Sequence, residues 1–244
     1  MTIDGYCTLG VDREYDLTES ALLYGMDRAG VDRAVIAPVD RHLAVSNREG
    51  NDFILKTAAA RPDRFLPACS ANPWYGDAGV EEVRRAAKKG ARLLVLHPFV
   101  QGYLANDELV WPLLDAASAE KVPVYLHTGP PGNATPWQVV DLADRYPSTD
   151  FIMGHCGATD FWNDVVDAGK AGHNVYLESS LARPFSLVAR LKEVGMHRGI
   201  MGSFAPINEL TFEWGQMRRV LSPEDWQDVC GGNLLRLLLK RGPL

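Results

Sequence analysis

The sequence predicts an α/β chain closed into a (β/α)8 TIM barrel, one domain over residues 1–244 with a short helical tail at its end. Short apolar runs rich in β-branched and aromatic residues alternate with longer amphipathic stretches along the whole chain, the signature of repeated βα units. Eight such units fit in 244 residues, close to the roughly 250 typical of this barrel. No linker, charge block or low-complexity segment interrupts them. The structural alternative is an open doubly wound sheet. That fold usually carries a glycine-rich phosphate turn after its first strand, and Gly5 and Gly10 do not make one.

Taken in order, Ile3 to Gly10 reads as the first strand. Asp16 followed by Glu19 reads as a capping box for a helix to about Ala29, which Gly30 terminates. Val31–Pro38 is the second strand, followed by a loop holding Arg41 and His42 and a helix from about Glu49 to Ala60 that Pro62 ends. The third strand lies in RFLPACS, and a helix over Val80–Lys89 leads to the fourth, Ala91–Pro98. A helix from about Glu108 to Glu120 leads to VPVYLHTG (Val122–Gly129), the TPWQVVDLADRYP helix to DFIMGHCG (Asp150–Gly157), and a helix over Phe161–Ala171 to NVYLESS (Asn174–Ser180). A helix over Phe185–Val194 precedes RGIMGS (Arg198–Ser203), the eighth strand. A helix from about Glu209 to Val220 and a tail capped by Ser222-Pro223, ending in NLLRLLLK, complete the chain.

The two runs ending in His127 and His155 organise the reading. Each is too short for a helix and reads as a strand buried on both faces. A right-handed crossover makes them parallel neighbours, so both histidines emerge at the carboxyl-terminal edge, where ligands collect in such folds. The same edge receives Tyr6, Thr8, Asn72, His97, Glu178, Ser203 and Phe204. Imidazole suits proton transfer near neutral pH and is also the commonest metal ligand. The bland readings are that each histidine is hydrogen-bonded and inert, that His97 caps its strand, and that Glu178 pairs with an arginine such as Arg183. His42, His173 and His197 read as loop or surface residues.

Composition narrows the classes. A formal net charge of -6 and no clustered basic patch argue against a nucleic-acid surface, and no apolar run approaches the ~20 residues of a membrane helix. Cys7, Cys69, Cys156 and Cys230 lie far apart with no metal-ligand spacing, and nothing reads as a secretory start. A cytoplasmic protein with reduced thiols is expected.

The passages MDRAGVDRAVIAP, RPDRF, KGARLLVLHP, VPVYLHTG, IMGHCG, NVYLESS, IMGSFAP and GGNLLRLL together resemble the amidohydrolase superfamily. Within it they resemble the amidohydrolase-related group of metal-dependent aromatic and aminocarboxymuconate-semialdehyde decarboxylases and lactonases. The resemblance implies Asp-x-His-x-His on strand one, a metal-binding His on strand five, a proton-transferring His on strand six, and Gly-Ser-Asp on strand eight. Here Tyr6 and Thr8 stand at the two strand-one histidine positions and Phe204 at the aspartate. His127 remains at the ligand position and His155 at the acid/base position. A catalytic zinc needs three protein ligands and an open position, so the inherited site is degenerate and no cofactor is expected. A residual zinc or manganese site would have to be rebuilt from His97, His127, His155 and Glu178.

Two functions follow from the resemblance. One is a metal-independent enzyme that hydrolyses a lactone or amide-like bond, or decarboxylates a small carboxylated or cyclic substrate; metal-free lactonases exist in the superfamily. His155 is then acid/base, with His127 and Glu178 assisting. Tyr6, Thr8 or Ser203 would donate to an oxyanion, Arg41 or Arg183 would hold a carboxylate, and His97 and Phe204 would shape the pocket. The other is a catalytically silent binding barrel, working as a homo-oligomer or as partner of an active paralogue in a hetero-complex.

Overall fold

The computed structural model describes residues 1–243 apart from Ala158 and Thr159; Leu244, the last residue of the expected domain, lies outside them. Its strands are β1 (Ile3–Val11), β2 (Asp16–Leu17), β3 (Arg33–Pro38), β4 (Phe65–Cys69), β5 (Leu93–Leu96), β6 (Val124–His127), β7 (Phe151–Gly154), β8 (Val175–Glu178) and β9 (Gly199–Ile200). They form one sheet in the order β2-β1-β3-β4-β5-β6-β7-β8-β9, parallel throughout except for the β1–β2 hairpin. Backbone bonds join the two edges: Gly5 N–H donates to Met201 O (2.8 Å), Phe204 N–H to Tyr6 O (2.9 Å) and Thr8 N–H to Ala205 O (2.8 Å). The sheet thereby closes into the expected barrel.

Period-2 alternation sorts the strand residues into two cores. Val35, Leu93, Val95, Tyr125, Ile152 and Ile200 fill the barrel interior, while Ile36, Leu94, Val124, Leu126, Phe151 and Leu177 pack outward against the helices. The tail helix Asn233–Leu239 adds Leu234, Leu237 and Leu238 to the interior cluster. Among the described residues no helix is long and apolar enough to cross a membrane.

Local chemistry moved several boundaries. The first helix, Glu19–Ala29, is capped by Thr18, whose hydroxyl accepts from Ala21 N–H at 3.2 Å, because Asp16 is held in β2 opposite Val11. Arg41 and His42 lie not in a loop but in a short helix, Asp40–Ala44. The helices expected from Glu108 and from Phe161 begin as 3-10 turns at Glu108–Val110 and Trp162–Asp164. The eighth barrel strand is only two residues long, and the chain bridges to β1 again between Cys7 and Ala205, just past the left-handed backbone of Phe204 (φ 59°).

Asp4 secures that short seam. Fully buried, its carboxylate accepts from Trp214 Nε1–H (2.8 Å), Ser203 N–H (2.9 Å) and Tyr6 N–H (3.2 Å), tying β1 to the chain after β9 and to the helix Leu210–Val220. Each buried donor left unpaired costs about 1–3 kcal/mol. Asp4→Ala should therefore lower unfolding stability by at least ~3 kcal/mol in urea melts; a loss below ~1 kcal/mol would show that the seam closes without it.

Candidate active site

Above the interior apolar layers the barrel mouth turns polar in one step. His127 faces inward two residues after Tyr125, and Glu178 two residues after Tyr176, each by strand alternation. His155 follows β7 immediately. Four groups form a continuous chain toward Glu178: Tyr6 Oη lies 2.7 Å from His127 Nε2, His127 Nδ1 2.9 Å from His155 Nε2, and His155 Nδ1 2.7 Å from Ser180 Oγ. The Ser180 hydroxyl donates to Glu178 Oε2 at 2.7 Å. Three more donors converge on that carboxylate: Tyr125 Oη–H (2.8 Å), His155 N–H (3.0 Å) and Ser180 N–H (2.7 Å).

Rings wall the chain in. Tyr6 stacks on Tyr125 with centroids 4.4 Å apart, His97 stacks on His127 at 4.1 Å, and Phe204 leans on His155 at 4.7 Å. Two glycines make the packing feasible. A Cβ at Gly154 would overlap the Tyr125 ring and one at Gly202 the Glu178 carboxylate, which explains the glycines of IMGH and IMGS. Beyond the glycines, left-handed backbone occurs among the described residues at Lys121 (φ 55°), in the turn before β6, and at His155 (63°), Cys156 (46°), Leu181 (59°) and Phe204 (59°), these four at this mouth. Such conformations cost about 1–3 kcal/mol each and persist only where surrounding contacts over-determine them. Here the His155 N–H bond to Glu178 and the Cys156 Sγ–H bond to Glu178 O (2.9 Å) supply that constraint.

Burial sets the charges. It pulls His155 down to about 3 and His97 to about 4, and it drives His127 well below the ordinary imidazole range, with the other two rings adding to the effect at His127. All three are neutral near pH 7. Burial pushes Tyr6 and Tyr125 well up and raises Glu178, whose hydrogen-bond donors pull the other way. Four donors on one carboxyl group, two of them fixed backbone N–H groups, match the ionised form, which is acceptor-only.

A cavity of about 250 Å³ opens onto the rings, lined by His97, His127, His155, Phe99, Leu181 and Phe204, with Thr128 and Asn133 as its other polar groups. Among the described residues no Arg or Lys lines it. His97 Nδ1 accepts from Val100 N–H (3.5 Å), capping the helix Pro98–Gln101, which leaves Nε2 as the nitrogen carrying hydrogen in the neutral ring. Among the described residues that Nε2 has no hydrogen-bond partner. A neighbouring cavity of about 420 Å³ shares Leu181 and is lined by Arg183 and Glu213. A third cavity, about 640 Å³, lies among Asn47, Tyr75, Glu82 and Arg85 and is lined by none of the histidines.

The structure thus gathers Tyr6, His97, His127, His155, Glu178 and Phe204 at one place. Thr8 and Ser203 are placed outside it: Thr8 Oγ1 donates to Ala205 O (3.4 Å), while Ser203 Oγ accepts from Ala205 N–H (3.1 Å). Arg41 is exposed beside Glu49 (3.8 Å), its backbone N–H held by Asp12. Arg183 is exposed at the neighbouring cavity and makes no ion pair with Glu178. Asn72 caps a 3-10 turn and holds Ala44 O. Sequence reasoning missed Tyr125 and Ser180. Tyr125 was accessible to it, being two residues before His127 and so on the same face.

The side chains present do not fit a mononuclear metal centre. Tyr6 Oη fills the lone-pair position of His127 Nε2, Thr8 faces backbone, and Phe204 presents a phenyl ring. Among the described residues no three His, Cys, Asp or Glu side chains converge as a ligand set.

Comparison with known proteins agrees with this architecture. The sequence model of the amidohydrolase family matches residues 10–239, so the chain belongs to that family. No curated protein sequence matches it. Among solved structures it is similar to an uncharacterized TIM-barrel protein from Bordetella bronchiseptica (TM-score 0.82, 16% identity, 99% of each chain covered). It is similar to 2,6-dihydroxybenzoate decarboxylase from Rhizobium (0.80, 16%, 99% of each chain). A third is a dihydroxybenzoic acid decarboxylase from Polaromonas with bound manganese and an inhibitor (0.79, 17%, 99% of this chain and 98% of that one). At these identities the shared property is the fold.

The neutral histidines make stability depend on pH. With folded values near 3 and 4 against an ordinary 6.5, the unfolded chain binds protons that the folded chain refuses, so stability falls as the pH drops from 6.5 toward 4. His97→Gln should flatten that fall in urea melts at stepped pH while leaving stability above pH 7 little changed. An unaltered slope would mean that His97 protonates freely in the folded protein.

Proposed function

We propose that the chain is an enzyme that hydrolyses a small cyclic ester or amide-like bond without a metal ion, with His155 as general acid/base. The observation that carries this reading is the hydrogen-bonded chain of neutral, buried groups from Tyr6 to Glu178, edged by a cavity that has room for one small ring. For scale, an apolar cavity of about 150 Å³ accepts benzene. With no Arg or Lys on its lining, the cavity favours an uncharged ring over a free carboxylate, hence lactone-type hydrolysis over decarboxylation. Aromatic-acid decarboxylases share the fold, and decarboxylation is the reading to exclude.

In this reaction water attacks the ring carbonyl carbon and passes a proton to His155. The C–O or C–N bond then breaks, and the leaving oxygen or nitrogen takes that proton back, giving the open-chain acid. His155 Nε2 becomes available when the incoming water displaces its contact with His127 Nδ1. His97 Nε2–H, stacked in place on His127, supplies the donor for the carbonyl oxygen as it gains charge. That role replaces the one expected of Thr8 and Ser203. Phe99, Leu181 and Phe204 make the surroundings apolar, which strengthens each of these interactions.

The test is a panel of monocyclic lactones and lactams, with aromatic carboxylates alongside, assayed before and after dialysis against a chelator. Turnover of a lactone or lactam should survive chelation and fall by about 10²- to 10⁴-fold in His155→Gln with the fold intact by circular dichroism. Activity lost to chelation and restored by manganese or zinc would overturn the metal-free reading. Binding without turnover, indifferent to His155→Gln, would support a silent binding barrel instead.

A further inference from the structure

The chain of contacts has a direction. Glu178, ionised under four donors, can only accept, so the single Ser180 hydroxyl proton is committed to Oε2. Ser180 Oγ, 2.7 Å from His155 Nδ1, then has only lone pairs to offer, and Nδ1 must carry the hydrogen. A neutral imidazole has one N–H, so His155 Nε2 is a bare acceptor. The 2.9 Å contact with His127 then requires hydrogen on His127 Nδ1, which leaves His127 Nε2 to accept from Tyr6 Oη–H at 2.7 Å. Every step is forced by the one before it. With Glu178 ionised and both rings neutral, no other arrangement fills all four contacts without setting two hydrogens or two lone pairs against each other.

We infer that Ser180 is a positioning residue through which the buried Glu178 carboxylate selects the Nδ1–H tautomer of His155, and through it that of His127, so that His155 Nε2 is the basic nitrogen. Ser180 is fully buried and does not line the cavity, so it acts only through His155. Glu178 cannot replace it directly, because its Oε2 lies 3.9 Å from His155 Nδ1, beyond hydrogen-bond reach. The left-handed turn at His155 brings the ring beside Ser180 while its N–H bonds the same carboxylate oxygen. One acid group thereby fixes backbone and tautomer together. The kinetic consequence rests on the acid/base reading of His155; the hydrogen-bond direction does not.

The experiment is a long-range 1H–15N correlation spectrum of full-length protein labelled at the imidazole nitrogens, recorded near neutral pH. Both His127 and His155 should appear as the neutral Nδ1–H tautomer. Ser180→Ala should move His155 toward Nε2–H, and His127 with it, because the anchor at the carboxylate end is lost. Tyr6→Phe removes a donor from the far end and should leave both tautomers as they were. An Nε2–H tautomer at His155 in the unsubstituted protein overturns the assignment without any variant, and so does a Ser180→Ala protein whose tautomers are unchanged. On a substrate found by the panel above, Ser180→Ala should lower kcat by about 10- to 100-fold with little change in KM, and Ser180→Thr should restore part of it. Correct tautomers with no turnover would sink the proposed reaction and leave the relay standing.

Discussion

A carboxylate buried without a cation is the constraint on which the rest of this barrel mouth depends. Glu178 stands on β8 with no exposed surface, and an unpaired charge there would cost several kcal/mol if its oxygens were not filled. They are filled from three directions: by Tyr125 on β6, by the His155 backbone after β7, and by Ser180 just beyond β8 itself, with Gly202 after β9 leaving room for the carboxyl group. Four consecutive strands are registered against one side chain. The unusual backbone at His155 follows from the same demand, since its N–H must point into the barrel at the moment the chain leaves β7.

Much of this was legible in the sequence, and the boundary of what was legible is physical. Strand residues obey a period of two, so the inward positions of His127 and Glu178, and the shared edge of His127 and His155, follow from short apolar runs and the handedness of the βα crossover. Groups just past strand ends do not obey that period. Ser180 stood in plain view in NVYLESS, yet its contact with His155 depends on turns that no apolar pattern encodes. Arg41, expected to hold a carboxylate, stands exposed on the helix after β3, its side chain 3.8 Å from Glu49 and its backbone N–H donating to Asp12.

Tyr6 and Phe204, at positions where the resemblance implies metal ligands, have partners of a different kind. A histidine ring bound to a cation gives up a lone pair; a ring inside a neutral relay must offer one lone pair and one N–H. Tyr6 meets that need at His127, donating where a positive ion would otherwise draw on the same nitrogen. Phe204 sets an uncharged ring against His155, centroids 4.7 Å apart.

Whether such a relay exists to hold the fold can be decided on energetic grounds. The barrel already has two apolar cores, one inside the strands and one between strands and helices, and hydrocarbon of equal volume generally stabilises a buried layer as well as a polar network does. A network of five buried polar side chains adds risk without adding stability, because losing any one strands its neighbours in a medium of low dielectric. What it does add is orientation. Through it, on the direction inferred above, a residue with no access to the cavity sets which nitrogen of His155 is a bare acceptor, and that matters to a molecule that donates a hydrogen bond or exchanges a proton there. Fixed donor and acceptor positions of this kind are what the proposed acid/base role of His155 requires.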